Sequence, residues 1–130
     1  MSDKILLFGA YGMLGTALRN EFQNYTIIAP HHSEVDITNR PAVLQYIEQK
    51  RPELIINAAA YTKVDDCEQN RTIAFRVNGE APGYIAEGTQ QVGAMLIHYS
   101  TDYVFSGTKT SGYNEADLPD QPVNAYGESK

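Results

Sequence analysis

Tyr126 and Lys130 stand four residues apart in AYGESK. That spacing puts both on one helix face, close enough for the ammonium to act on the phenol. Gly9, Gly12 and Gly15, in Gly9-Ala-Tyr-Gly12-Met-Leu-Gly15, follow the apolar run KILLF and precede an amphipathic stretch. Between a strand and a helix such spacing means dinucleotide binding: one glycine permits the tight turn, one admits a pyrophosphate to the backbone, one lets helix pack on strand. The helix N-terminus then adds amides and a positive dipole end. Thr101 follows the apolar run MLIHY, and a hydroxyl at a parallel strand's C-terminal end is well sited to hydrogen-bond a reacting oxygen.

Elements that could position these groups alternate along the chain. Lys4 to Phe8, Tyr25 to Ala29, Leu54 to Ile56 and Met95 to Tyr99 read as strands. Met13, Leu14, Ala17, Leu18 and Phe22 fall at helical spacing, and Asn39 with Pro41 opens a helix whose stripe is Val43, Leu44 and Ile47. From Asp65 to Val92 the pattern is helical but interrupted by Gly79, Pro82 and Gly83, which predicts two pieces or a kink near Pro82. Residues 106–125, rich in Gly, Pro, Ser, Asn and Asp, read as a long surface loop. The class is α/β, a Rossmann-type doubly wound parallel sheet ending after its fourth strand and the start of the next helix, with strands expected in the order 3-2-1-4.

The 130 residues suffice for one domain with a core, and a hydrophobic fraction of 42% is that of a globular chain. A formal net charge of −6 leaves no electrostatic footprint for a nucleic acid polymer, so an anion must be held by placed amides or cations. The short apolar run at the N-terminus is neither a signal peptide nor a membrane span, which predicts a cytoplasmic protein. Cys67 is a lone, structural thiol, and no metal cluster is spelled. After the second strand, Ala29-Pro30-His31-His32-Ser33 lacks the carboxylate that would take a ribose 2′-hydroxyl, although Glu34 is near; NADP(H) is therefore slightly favoured over NAD(H). His31 and His32 read as a solvated loop pair, and His98 as a packed polar residue.

FGAYGMLG, NAAAYTKVD, HYSTDYVFSG and YGESK, in this order, resemble the extended short-chain dehydrogenase/reductases over the whole chain. Within them the likeness runs to the branch that reduces the 4-keto group of dTDP-4-dehydro-L-rhamnose for cell-surface polysaccharide. That resemblance implies Tyr126 as proton donor, Lys130 as its ammonium and a ligand of the nicotinamide ribose, and Thr101 as the group that polarises the carbonyl. It further implies cofactor contacts from Gly9, Gly12, Met13, Leu14 and Gly15, adenine contacts from Asp36 and Ile37, and a cofactor wall of Ala58, Ala59, Ala60 and Thr62. Thr62, Val64, Thr101 and Asp102 would lie near the dTDP-sugar.

Relatives in such a family are about twice as long, so residues 1–130 would be the NAD(P)-binding portion, inactive alone, with the substrate-binding portion outside the chain. Two consequences are expected. Five terminal residues cannot sustain a helix unaided, which leaves Tyr126 and Lys130 unorganised. The unpaired edge of the fourth strand favours self-association. Two other readings stay open: a nucleotide-sugar epimerase or dehydratase of the same fold, and a non-catalytic relative such as the regulatory subunit of methionine adenosyltransferase. Tyr103 stands where related dehydratases carry a glutamate, which argues against elimination.

Overall fold

A computed structural model describes residues 3–130. The elements in order are β1 (Lys4–Phe8), α1 (Met13–Glu21), β2 (Thr26–Ile28), α2 (Arg40–Lys50), β3 (Leu54–Asn57), α3 (Val64–Gln69), α4 (Arg71–Phe75), a π-helical turn (Arg76–Glu80), α5 (Ala81–Val92), β4 (Met95–His98), a 3-10 turn (Asp102–Val104) and α6 (Ala125–Ser129). All strand pairs are parallel, with Leu6 opposite both Ile28 and Ile55, and Ile55 opposite Leu96. Helices cover both faces, as the alternation of apolar strands and helices requires. Among the described residues no helix is long and apolar enough to cross a membrane.

The strand order is β2-β1-β3-β4, not 3-2-1-4. The reason lies in which face each helix takes. α1 lays Leu18 and Phe22 against Ile5, Leu7 and Ile56 on one face of the sheet. α2 and α5 put Val43, Ile47 and Ile85 against Leu6, Phe8 and Ile55 on the other. Residues 31–39 carry the chain across the C-terminal ends of the strands as turns, with Val35 buried in that second core. Helix α2 therefore delivers β3 to the free side of β1 rather than beyond β2. The connection changes direction between β1 and β3, and open α/β sheets bind ligands in the crevice at such a point.

Local signals were sound elsewhere. Asn39 caps α2 by accepting from the Ala42 amide (3.2 Å), with Pro41 in the first turn. The 65–92 stretch is more divided than expected. Asn70 separates α3 from α4, and the π turn then carries α4 into α5 without a break, so Pro82 sits in the first turn of α5. Met13 is 93% exposed and belongs to no core, unlike Leu18 and Phe22 on the same stripe. Among the described residues β4 pairs only with β3, and its Met95 and Ile97 are exposed, as is Tyr99 directly after it.

Candidate functional site

The turn after β1 is built by what its glycines lack. Gly9 has φ +75, and a Cβ there would lie 2.4 Å from the Ala59 amide nitrogen and 2.6 Å from the Ala58 carbonyl oxygen. A Cβ on Gly15 would lie 2.0 Å from the Gly9 oxygen. These two glycines are demanded by backbone packing. Gly12 is different: it has ordinary extended geometry at the N-cap of α1, and a Cβ there would meet only the Gly9 oxygen, at 3.6 Å. No neighbour in the fold asks for glycine at position 12, whereas a ligand lying on that backbone would. The first amides of α1 have no side-chain cap and remain available to it.

A cleft of about 500 Å³ opens above this turn. Its walls include Gly9 and Gly12 from the turn, Asp36 and Ile37 from the crossing segment, and Ala58 to Ala60 after β3, all expected from the sequence. Gly15 is buried beneath it, while Met13 and Leu14 are exposed on the first turn of α1. The Asp36 carboxylate accepts from the Thr38 hydroxyl (2.7 Å) and amide (2.9 Å), and these bonds hold it below the usual carboxylate range. The chemistry of this donor set fits a dinucleotide: open backbone and a helix start for phosphates, small side chains for a flat ring.

Sequence reasoning missed several walls of the cleft. Tyr11, Pro30, His31, His32, Thr38 and Val77 also line it. The two histidines are exposed, as a solvated pair would be, yet they face a cavity. Their place directly after β2 was the available signal, and it had been searched only for a carboxylate.

The residues expected to be catalytic lie around the end of β4. Thr101 accepts from the Tyr103 amide at 3.3 Å and donates to Asp102 at 3.3 Å. The Lys130 ammonium donates to the Tyr99 carbonyl (2.8 Å), and burial lowers its pKa. The Tyr126 ring meets the Tyr103 ring edge-on at 5.8 Å. Thr62 and Val64 lie at the approach to α3, Thr62 exposed and Val64 half-buried.

The expectation that Tyr126 and Lys130 would be unorganised is wrong, because α6 is fastened from outside. Asn124 caps it by accepting from the Gly127 amide (2.8 Å), the Ala125 amide donates to Glu68 (2.5 Å), and Arg71 pairs with Glu128. A Cβ on Gly127 would lie 2.1 Å from the Tyr103 oxygen, so α6 is seated close against the 3-10 turn. The central fastener is Asn78 in the π turn, which is buried. Its Oδ1 accepts from the Tyr61 amide (2.8 Å), and its Nδ2 donates to the Tyr61 carbonyl and the Ser129 hydroxyl (3.0 Å each). One side chain thus ties the segment that follows Ala58–Ala60 to the helix that carries Tyr126 and Lys130. π turns are frequent at functional sites, and this one aims a buried amide.

A second amide bridges the strand ends. Asn57 is buried; its Oδ1 accepts from the Ala59 amide (3.1 Å), which leaves Nδ2 to meet His98 Nδ1 at 3.1 Å. His98 Nδ1 must then be the unprotonated acceptor. Burial, and secondarily the charge of Lys130, hold the His98 pKa below its usual value. Cys67 is fully buried, its thiol pKa raised by burial first and by Asp66 and Glu68 second.

Comparison with known proteins agrees with this geometry. The family model described as RmlD substrate binding domain matches residues 3–130. The dTDP-4-dehydrorhamnose reductase of Burkholderia thailandensis is 44% identical over 128 residues, covering 98% of this chain and 43% of that protein. That of Aggregatibacter actinomycetemcomitans is 40% identical over 130 residues, covering 98% and 44%. The crystal structure of dTDP-4-dehydrorhamnose reductase from Bacillus anthracis in complex with NADP superimposes with a TM-score of 0.93 at 40% identity, covering 99% of this chain and 46% of that one. The chain spans less than half the length of these relatives.

Proposed function

The chain belongs to the RmlD substrate binding domain family, and on that footing we propose that it is the dinucleotide-holding portion of a reductase. The reaction is reduction of the 4-keto group of dTDP-4-dehydro-L-rhamnose to dTDP-L-rhamnose, in the cytoplasm, by a short-chain dehydrogenase/reductase serving cell-surface polysaccharide. One observation carries the reading. Asn78 fastens the helix bearing Tyr126 and Lys130 to Tyr61, the residue that directly follows the Ala58–Ala60 wall of the cleft, so proton donor and cofactor wall are tied together.

NADPH, when bound, would supply the hydride. Gly9, Gly12 and the start of α1 would hold its phosphates, and Ala58 to Ala60 would lie along it. As the ketone oxygen gains negative charge, Tyr126 donates the proton it needs. Lys130 has one ammonium hydrogen committed to the Tyr99 carbonyl, which fixes the group and leaves two donors for the cofactor ribose and the phenol. Its positive charge favours the phenolate left behind. Thr101 would turn the hydroxyl hydrogen it now gives Asp102 toward the same oxygen and so offset its charge. Tyr103, packed on Tyr126, offers no carboxylate for loss of water, so reduction is favoured over dehydration.

The test joins residues 1–130 in frame to the C-terminal half of such a reductase and follows NADPH oxidation with dTDP-4-dehydrorhamnose. Tyr126→Phe should lower turnover by on the order of 10²-fold to 10⁴-fold while leaving NADP affinity nearly unchanged. Near-normal turnover in that variant would reject the proton-donor role. In the same assay residues 1–130 alone should give no turnover, and the open edge of β4 should make them run larger than a monomer by light scattering.

A further inference from the structure

We propose that His31, braced by Tyr11, reads the ribose 2′-phosphate of the nucleotide in this cleft. The inference rests on the reading of the cleft as a dinucleotide site and names the residue that sets its preference.

Position comes first. β2 ends at Ile28, and in open α/β sheets the group that distinguishes a 2′-hydroxyl from a 2′-phosphate lies just beyond that strand. Both Tyr11, from the glycine turn, and His31 line the cleft there. Their rings stack with centroids 3.9 Å apart and planes 5° from parallel. Tyr11 is itself fixed: its hydroxyl donates to the Ala29 carbonyl at 3.2 Å, and the Arg19 guanidinium lies 4.6 Å from its ring centroid. Arg19 is anchored in turn, its Nε donating to the Ala10 carbonyl at 2.9 Å. This chain of contacts joins the phosphate turn to the end of β2 and fixes the plane of the imidazole. A stacked imidazole presents its nitrogens at its edge, and in either tautomer one of them is an N–H donor suited to a phosphate oxygen.

The acidic groups nearby are turned to other work. Glu34 Oε1 accepts from the His31 amide (3.2 Å), so the carboxylate serves the turn that carries the histidine. Asp36 Oδ1 takes both donors of Thr38. Arg76 donates to the Thr38 hydroxyl at 3.4 Å and brings positive charge toward Asp36. His32 adds a second imidazole to the wall. A dianionic phosphate therefore meets donors at this end of a chain whose net charge is −6.

The experiment measures affinities of residues 1–130 for adenosine 2′,5′-bisphosphate and for 5′-AMP by calorimetry, with NADP⁺ and NAD⁺ as the second pair. The wild type should prefer the 2′-phosphorylated member of each pair. His31→Phe keeps a ring against Tyr11 and removes the nitrogens; it should cut that preference about tenfold, with 5′-AMP affinity within about twofold of wild type. His31→Gln, which keeps an N–H donor without the stack, should lose part of the preference. An unchanged preference in His31→Phe overturns the assignment, and so does equal weakening of both ligands, which would make His31 an adenine platform. Loss of the preference in Arg76→Gln but not in His31→Phe would transfer the role to Arg76 and reject it here. If the wild type binds no nucleotide of either pair, the dinucleotide site itself falls, and the assignment with it.

Discussion

The two ends of the proposed site are assembled by opposite means. At the glycine turn, backbone lies on backbone: Gly9 against Ala58 and Ala59, Gly15 against Gly9. At the tyrosine helix, side chains reach across the sequence, from Asn78 to Ser129, Glu68 to Ala125 and Arg71 to Glu128. The first end exists because atoms are missing and the second because atoms are present. Additions should therefore damage the turn, and deletions the helix.

The largest effect tests the turn. Gly15→Ala places a methyl against backbone that cannot swing aside, and it should cost about 3 kcal/mol in urea unfolding, the upper part of the range for overpacking. A loss well under 1 kcal/mol would mean the turn yields, and the contrast would collapse. Next comes the helix. Asn78→Ala strands the Tyr61 amide and the Tyr61 carbonyl without their partner, and a loss of about 2 kcal/mol is expected. Hydrogen exchange sharpens the point: α6 amides should exchange faster while those of α1 keep their protection. Equal loosening at both ends would show that they form one unit with no difference to explain.

The smallest effect is one of pH. The folded protein holds the His98 pKa below its unfolded value, so the unfolded chain binds more protons between the two. The contribution is complete above the ordinary imidazole value of about 6.5 and declines as pH falls toward the folded one. Urea midpoints should drop from pH 7.5 to 5.5, and His98→Gln should flatten that slope. A steeper slope in the variant would place the titrating group elsewhere.

The same contrast explains what could be read in advance. KILLF, the glycine spacing and the Asn39 cap act within a few residues of themselves, and such signals survive in a single sequence. Strand order depended on the face chosen by α2, which is a property of the assembled sheet and of no local pattern. The order of α6 was invisible for a related reason. Five residues are too few for a helix on their own terms, and the partners that hold them are spelled more than fifty positions earlier. His31 was read for its type and not its place: an imidazole after β2 looks like any loop residue until Tyr11 is found against it.

The π turn at Arg76–Glu80 lets a single helical rod serve two cores. Upstream of it Ala74 packs with Cys67 and Ala125, and downstream Ile85 packs with Leu6 and Ile55. The wider turn accommodates one surplus residue, which shifts the phase of the rod by about 100° between its halves. A substitution within 76–80 changes the contacts of one side chain. Deleting a residue there would give a more regular helix and re-aim every side chain on one side of it, so a lost residue does more harm than a wrong one.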